Sequence, residues 1–377
     1  REFRGYECLS PCRGLPRYGT LADTPPYRAI RNPKSEKENF VLMALHVFKE
    51  FRNYAGSVCA LMKGVTGLGR TPLFVSWNVT FRCNLRCGYC GASDAPRRES
   101  TTAEIQTGLD ELRRLGGRWV TFGGGEPLLR PDLGELIAYA KARGFQVFVS
   151  TNGHFVPDHL DALRQVDNLN FSLDGPRAVH DAVRGAGAFD DTLRATEAAR
   201  SAGLPFSFQC VLARHNLDSL EETLALAREQ GAWMMFQPAT QWLDSSTAPN
   251  PLAPPVEPYR AAVAELLRLK KAGLPVANSR AGLRHLTRWP DNAAIRCLAG
   301  RLMVMVEPDG TLLSCHQCEV ARFLKADGRP ERTLTDQFLN TPPPRGCVQC
   351  WCAPVVELAL ICSLNPEAIW NTLRRFF

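Results

Sequence analysis

Six short runs of apolar, β-branched and aromatic residues recur between residues 72 and 240: Leu73–Val79, Trp119–Phe122, Gln146–Ser150, Asn168–Leu173, Phe206–Leu212 and Trp233–Gln237. Their lengths and residue types predict strands. Helical patterns separate them. Thr101 with Glu104 reads as a capping box, and Ile105, Leu109, Leu112 and Leu115 follow until Gly116-Gly117 stops the run. Leu133, Leu136, Ile137 and Ala140 lie on one helical face after Pro131-Asp132, and Asp218 with Glu221 opens another helix that ends at Gly231. Six β-α units in succession predict a parallel sheet with right-handed crossovers. An open or partial barrel is as natural an outcome as a doubly wound sheet. Either arrangement puts chemistry on the loops at the carboxyl ends of the strands.

The pattern changes after residue 240. Thr247–Pro258 holds five prolines and reads as a linker, and a helix is expected over Tyr259–Lys271. Met303–Val306 and Leu312-Leu313 flank Pro308-Asp309-Gly310, a strand–turn–strand pattern. A terminal helix is signalled by Asn365 as N-cap, Pro366, Glu367 in the first turn and Arg374-Arg375 in the last. Residues 1–40 carry five prolines and little periodicity, so a loosely packed extension is expected, with better patterning from Met43. The expected division is an extension over 1–71, a barrel over 72–240, a linker and helical segment over 241–290 and a cysteine-rich domain over 291–377.

Composition narrows the class. The chain has 377 residues, 45% hydrophobic and 22% charged, which excludes intrinsic disorder. A net charge of +7 is modest and is no nucleic-acid signature. No run approaches the roughly 18 apolar residues of a membrane span. The stretch Phe40–Phe48 contains His46, follows the charged run Lys34–Glu38 and leads into Lys49-Glu50, a poor signal peptide, so a cytoplasmic protein is expected.

The chain has 14 cysteines, and they are clustered, which in a reducing compartment points to metal. Cys83, Cys87 and Cys90 sit just after the first strand. Cys297, Cys315, Cys318, Cys347, Cys350, Cys352 and Cys362 lie in the last quarter. Cys210, inside a strand run, reads as a small core residue. Cys8 and Cys12 lack a third partner nearby and read as dispensable. Three thiolates on one loop do not complete a tetrahedral site. A cubane [4Fe–4S] cluster with three cysteine ligands keeps one iron open for a substrate or cofactor; zinc ribbons instead use C-x2-C pairs with a distant second pair.

The Cys83-x3-Cys87-x2-Cys90 loop resembles the radical S-adenosylmethionine (SAM) superfamily, and the resemblance covers roughly residues 72–240. Gly124-Gly125-Glu126-Pro127, at the end of the second strand, looks like the family's GGEP motif. The resemblance implies a partial (β/α)6 barrel, a [4Fe–4S] cluster on the three cysteines and SAM as cofactor. By the same carry-over, Gly124, Gly125 and Glu126 meet the methionine amino group, and Ser172 and Arg184 meet the SAM carboxylate and ribose. Asn152 is a further contact, and the backbone of Tyr89 approaches adenine. In the family, reductive cleavage of SAM yields methionine and a 5′-deoxyadenosyl radical that removes hydrogen from an unactivated C–H bond. No catalytic side chain can be named. Asp174 reads as a turn residue, and Gln209 and Gln237 as half-buried strand ends that could face the substrate.

Cys297, followed by twelve residues, Gly310, four residues and Cys315, resembles the opening of the SPASM or twitch auxiliary-cluster extension. The distal Cys347-x2-Cys350-x1-Cys352 group with Cys362 departs from that pattern. One or two auxiliary iron–sulfur clusters are expected there, and a zinc ribbon of Cys315, Cys318, Cys347 and Cys350 is the alternative. Whether Cys350 and Cys352 reach one metal depends on local conformation. Relatives with this tail imply a peptide or protein substrate, with a small molecule, haem precursor or sugar as alternatives, and an electron donor such as flavodoxin or ferredoxin. The rival readings are a catalytically degenerate zinc-binding barrel and an electron-transfer iron–sulfur protein.

Overall fold

The computed structural model describes Met62, Thr66 and residues 69–90, 98–243, 249–291, 295–315, 328, 330–344 and 350–376. The expectations for residues 1–40, Phe40–Phe48, Cys8, Cys12, Cys318 and Cys347 lie outside these. The elements run β1 (Phe74–Thr80), α1 (Thr102–Arg114), β2 (Trp119–Gly124), α2 (Leu133–Ala142), β3 (Gln146–Thr151), α3 (Leu160–Leu163), β4 (Asn168–Ser172), α4 (Arg177–Arg184) and α5 (Ala188–Ser201). They continue with β5 (Phe206–Leu212), α6 (Leu220–Glu229), β6 (Met234–Pro238), α7 (Val256–Lys271), α8 (Arg280–Leu286), β7 (Met303–Val306), β8 (Leu312–Leu313), α9 (Leu334–Asn340), α10 (Ala353–Cys362) and α11 (Pro366–Phe376).

One eight-stranded sheet has the order β6-β5-β4-β3-β2-β1-β7-β8. β1 to β6 are parallel and each lies beside its predecessor, so the sheet curves as an open, partial barrel. Alternation explains its two faces. Val75, Trp77, Phe122, Val149, Phe171, Phe208 and Phe236 are buried in the core. The intervening Ser76, Asn78, Thr121, Ser150, Asn170, Ser172, Gln209 and Gln237 are half-buried on the other face, which also carries Phe74, Trp119, Phe148, Val211 and Met235 and is polar mainly toward the carboxyl ends of the strands. The capping box of α1 forms as expected, with Glu104 N donating to Thr101 Oγ1 and Thr101 N to the Glu104 carboxylate.

The cysteine-rich tail is built into this sheet. β7 pairs in parallel with β1 from Phe74↔Met303 to Trp77↔Val306, and β8 returns antiparallel to β7. Gly310, at φ +90°, closes the hairpin turn. α9 packs against α1, where Glu111 accepts a 2.7 Å hydrogen bond from Thr335 N at the start of α9. The opposite edge is closed differently. Ala277 N donates to Met234 O, and the Asn278 side chain satisfies both backbone groups of Phe236. Two helices, α4 and α5, fill the interval between β4 and β5 where the sequence showed only turn motifs. Among the described residues no helix is long and apolar enough to cross a membrane.

Gly108 in α1 shows how closely these layers approach. A Cβ there would lie 2.6 Å from both the Trp77 ring and Leu334 Cδ1, and Trp77 is 1% exposed with no room to retreat. Glycine-to-alanine changes in a helix interior ordinarily stabilise by about 1 kcal/mol. Here overpacking reverses the sign: Gly108→Ala is expected to destabilise by roughly 1–3 kcal/mol. Denaturant unfolding checks this, and a gain in stability would refute the packing account.

Candidate functional site

The three-cysteine loop leaves the carboxyl end of β1 and is pinned along its length. At its root, Thr80 Oγ1 and Phe81 N both donate to Glu99 Oε1, at 2.7 and 2.8 Å. The end of β2 then takes over: Gly125 N donates to Thr80 O and Glu126 N to Arg82 O. Gly124, at φ +115°, and Gly125 are obligatory, since a Cβ on Gly125 would fall 2.0 Å from Arg82 O. Asn152, beyond β3, donates from Nδ2 to Asn84 Oδ1 at 2.8 Å. The second half of the loop rests on α4, where Gly88 N donates to Val183 O at 3.1 Å. The segment read as a linker also takes part. Buried Asn250 reaches Tyr89 O at 3.5 Å, and Leu252 Cδ1 sits 2.9 Å from the Cβ position of Gly88.

Asp174 organises the far side of the loop. Its side chain is 0% exposed and accepts from Tyr89 OH at 2.7 Å, Arg184 Nε at 2.6 Å and Val211 N at 3.0 Å. Arg184 also donates to Tyr89 OH. Asn216 donates to the Asp174 carbonyl, and Asp174 N donates to His180 Nδ1. Burial pushes the Asp174 carboxyl up, but Arg184, His180 and the Val211 amide together hold it below the usual carboxylate range. Asp174 is thus a hub rather than a simple turn residue. Asn216, Glu99 and Asn250 are residues that sequence patterning passed over, whereas the Asp-Gly-Pro sequence after β4 marked Asp174 only as a turn residue.

The remaining expected cofactor residues fall around the same strand ends. Glu126 is 0% exposed and accepts from Thr151 Oγ1, Asn152 N and Leu128 N, joining the ends of β2 and β3; burial raises its carboxyl. Ser172 ends β4 on the polar face. Arg184 is 8% exposed and its guanidinium is engaged by Asp174 and Tyr89.

These residues fit an iron–sulfur cluster and a polar cofactor. Cys83 and Cys87 each lie within electrostatic reach of Cys90 and of one another. Burial raises both thiols, Cys87 to about 11, so metal must displace their protons. A cubane holds each thiolate on a different iron, so its ligands need not converge on one point. Among the described residues no three His, Cys, Asp or Glu side chains converge as a single ion requires. Gln237 Oε1, within β6, and both ring nitrogens of His215, beyond β5, are buried without a hydrogen-bond partner.

The tail cysteines gather at the other end of the sheet. Cys297 precedes β7, and Cys315 lies two residues past β8, back toward the start of β7. Cys350 is within electrostatic reach of Cys352, Cys297 and Cys315, and burial raises its thiol. Cys352 caps the start of α10 in extended conformation, its thiol pushed up to about 11 by burial. The non-helical backbone thus keeps Cys350 and Cys352 together. Cys362 closes α10, about 15 Å along its axis from Cys352, and is 3% exposed among Leu73, Leu298, Leu302 and Ala359. Cys210 is a fully buried core residue, as expected.

Comparison with known proteins gives concordant results. The family model of the radical SAM superfamily matches residues 77–227. The chain is similar to mycofactocin maturase MftC of Mycobacterium ulcerans, 32% identical over 285 residues, 72% of this chain and 75% of that protein. It is also similar to the PqqA peptide cyclase of Ruegeria pomeroyi, 32% identical over 282 residues, 70% of this chain and 73% of that protein. In fold it resembles Streptococcus suis SuiB bound to its precursor peptide SuiA, with a TM-score of 0.60 at 16% identity over 92% of this chain and 82% of that one.

His180 supplies a pH test of the Asp174 network. It is 1% exposed, and burial, with Arg184 adding to it, lowers its imidazole from 6.5 to about 4. Between these values the unfolded chain binds a proton that the folded one refuses, so stability falls as pH drops through this window. Replacing His180 with Asn should lower stability at neutral pH and flatten that acid dependence. Denaturant unfolding across the window measures both, and an unchanged slope would contradict the neutral, buried imidazole.

Proposed function

Because this chain belongs to the radical SAM superfamily, an enzyme family that uses SAM with a [4Fe–4S] cluster, we propose that Cys83, Cys87 and Cys90 hold that cluster and that the substrate is a peptide. The observation that carries the cofactor assignment is the cysteine loop, pinned at Glu99, Gly125, Asn152 and Asp174 over the carboxyl ends of the strands. When bound, the cluster and SAM supply one-electron chemistry that abstracts hydrogen from an unactivated C–H bond. The chain's own part is orientation. Gly124 and Gly125 let backbone approach a ligand, while Glu126 aligns the ends of β2 and β3. Ser172, Asn152 and the Tyr89 backbone border the space above the polar face. Gln237 and His215 offer buried polar atoms to whatever fills it.

The peptide assignment is supported by the two curated relatives, one named a maturase and the other a peptide cyclase. The open, polar face of the sheet is consistent with an extended chain, whose backbone groups need partners. Cys297, Cys315, Cys350 and Cys352 are assigned to an auxiliary iron–sulfur cluster. The clustered, metal-directed cysteines suit a reducing cytoplasm. The net charge of +7 suits an acidic electron donor of the flavodoxin or ferredoxin class. For domains, we assign the barrel to 72–240, a bridging segment to 241–290 and the auxiliary segment to 291–377.

The test is anaerobic and direct. Reduced protein with SAM and a short peptide encoded beside its gene should release 5′-deoxyadenosine and change the peptide's mass. Replacing Cys83, Cys87 and Cys90 together by Ala should abolish both and remove about four iron per chain, while iron remains in the tail. A triple variant that is folded yet iron-free would contradict the auxiliary cluster. Deoxyadenosine release without a mass change would contradict the peptide assignment.

A further inference from the structure

We propose, on the peptide reading of the substrate, that Asn78, Gly123, Ser150 and Asn170 form a row that holds the substrate's main chain. Glu307, from the cysteine-rich tail, orients Asn78 for that task. The four residues are neighbours on four parallel strands. Asn78 of β1 pairs with Gly123 of β2, and Ser150 of β3 with Asn170 of β4. Gly123 follows the pair Phe122↔Val149 and so stands beside Ser150. Asn152 and Ser172, expected SAM contacts, come two residues after Ser150 and Asn170, roughly 6–7 Å further along the strands. Four residues before Asn78 and Gly123, the Phe74 and Trp119 rings stack at 4.7 Å on the same face. The row therefore lies between an aromatic floor and the place given to SAM.

Gly123 is the informative member. Glycine weakens a strand and often marks a close approach by a ligand or another backbone. The chain itself explains Gly124, by its φ of +115°, and Gly125, by the Arg82 carbonyl. It does not explain Gly123, whose φ is not in the left-handed range. A Cβ there would meet only Asn78 Oδ1 at 3.8 Å and Ser150 Cβ at 3.9 Å, both ordinary contacts. The fold would accept alanine, so the clearance serves a molecule outside the chain. The flanking amides are already turned. Asn78 Nδ2 donates to Glu307 Oε1 at 3.1 Å, which leaves Oδ1 on the Gly123 side. Asn170 Oδ1 accepts from Ser207 Oγ at 2.8 Å and Asn168 Nδ2 at 2.9 Å, which leaves the Nδ2 donors of Asn170 to a ligand. With the Ser150 hydroxyl between them, the row presents an acceptor, a hydroxyl and a donor across about 14 Å, the width of three strand spacings. An extended peptide carries N–H and C=O groups that need such partners. None of the four side chains is charged, so an acidic small molecule would find no counter-charge in the row.

Anaerobic binding of a fluorescently labelled synthetic peptide, of the sequence encoded beside the gene, to reconstituted full-length protein with SAM tests this. Gly123→Ala should unfold at or above the wild-type denaturant midpoint, because alanine restricts the unfolded chain. It should bind SAM within about threefold of wild type and the peptide at least about tenfold more weakly. Asn78→Ala should show the same separation of SAM and peptide affinity. Glu307→Ala should weaken peptide binding, and Glu307→Gln, which keeps the acceptor for Asn78, should restore it. In a series of singly backbone-N-methylated peptides, one member should bind wild type about tenfold more weakly than the parent peptide, yet bind Asn78→Ala as well as the parent does. Peptide affinity unchanged in Gly123→Ala or in Asn78→Ala overturns the proposal, as does a Gly123→Ala chain less stable than wild type. So does a SAM affinity that falls with the peptide's, which would give the space to the cofactor. A series with no such member overturns the main-chain assignment, and a Glu307→Gln chain as weak as Glu307→Ala overturns the orienting role. Wild-type protein that neither binds the peptide nor changes its mass would instead refute the peptide reading beneath.

Discussion

A carboxylate removed entirely from water must be met by charge and hydrogen bonds, and that of Asp174 is met from three directions while its backbone is held from a fourth. Arg184 comes from α4, Tyr89 from the cysteine loop, the Val211 amide from β5, and Asn216 from the turn beyond it binds the Asp174 carbonyl. Breaking such a pair by removing one partner costs roughly 3–5 kcal/mol, because the other charge stays buried. The loop that carries Cys83, Cys87 and Cys90 therefore has no independent conformation. Its far half goes where Asp174 places it. Its near half is set by Glu99 and by Gly124 and Gly125 at the end of β2, where a side chain on Gly125 would collide with the backbone of Arg82. A three-cysteine loop needs this stiffness: three ligands must stay arranged around a cluster whose fourth iron is left for a cofactor.

Local signals in the chain were a good guide to local structure. The strand Phe206–Leu212, the hairpin of Met303–Val306 and Leu312–Leu313, and the Thr101–Glu104 capping box all form over the residues whose pattern signals them. The cysteine spacing and the Gly-Gly-Glu-Pro turn pointed to the strand ends where the pinned loop lies. What patterning could not supply was partnership across long separations. The resemblance makes Arg184 a SAM contact, but only the structure finds Asp174 and Tyr89 around its guanidinium. Thr247–Pro258 reads as a linker because of its prolines, yet Asn250 and Leu252 lie against Tyr89 and Gly88. Cys350 and Cys352 could be sorted only once the backbone between them proved extended rather than helical.

The tail is less separable than its composition suggests. β7 is hydrogen-bonded along β1, the strand that carries the cysteine loop. Because the two strands are parallel, the loop leaves one end of β1 while Cys297 and Cys315 lie toward the other. Seven residues of strand separate those ends by roughly 20 Å. The two cysteine groups thus have distinct surroundings within one continuous sheet. α9 adds to the join by packing on α1 through Gly108 and Glu111. Loss of metal in the tail leaves the hydrogen bonds between β1 and β7 available, whereas loss of β7 itself would expose an edge of the strand that bears the site.

The central claim is that the loop built on Asp174 and Glu126 presents a cluster with one iron open to SAM. EPR of the anaerobically reduced, full-length protein, recorded with and without SAM, tests that claim most directly. The account predicts that SAM changes the signal belonging to Cys83, Cys87 and Cys90 and leaves any tail signal as it was. A loop-cluster signal that SAM does not alter, in protein carrying its full complement of iron, would contradict it.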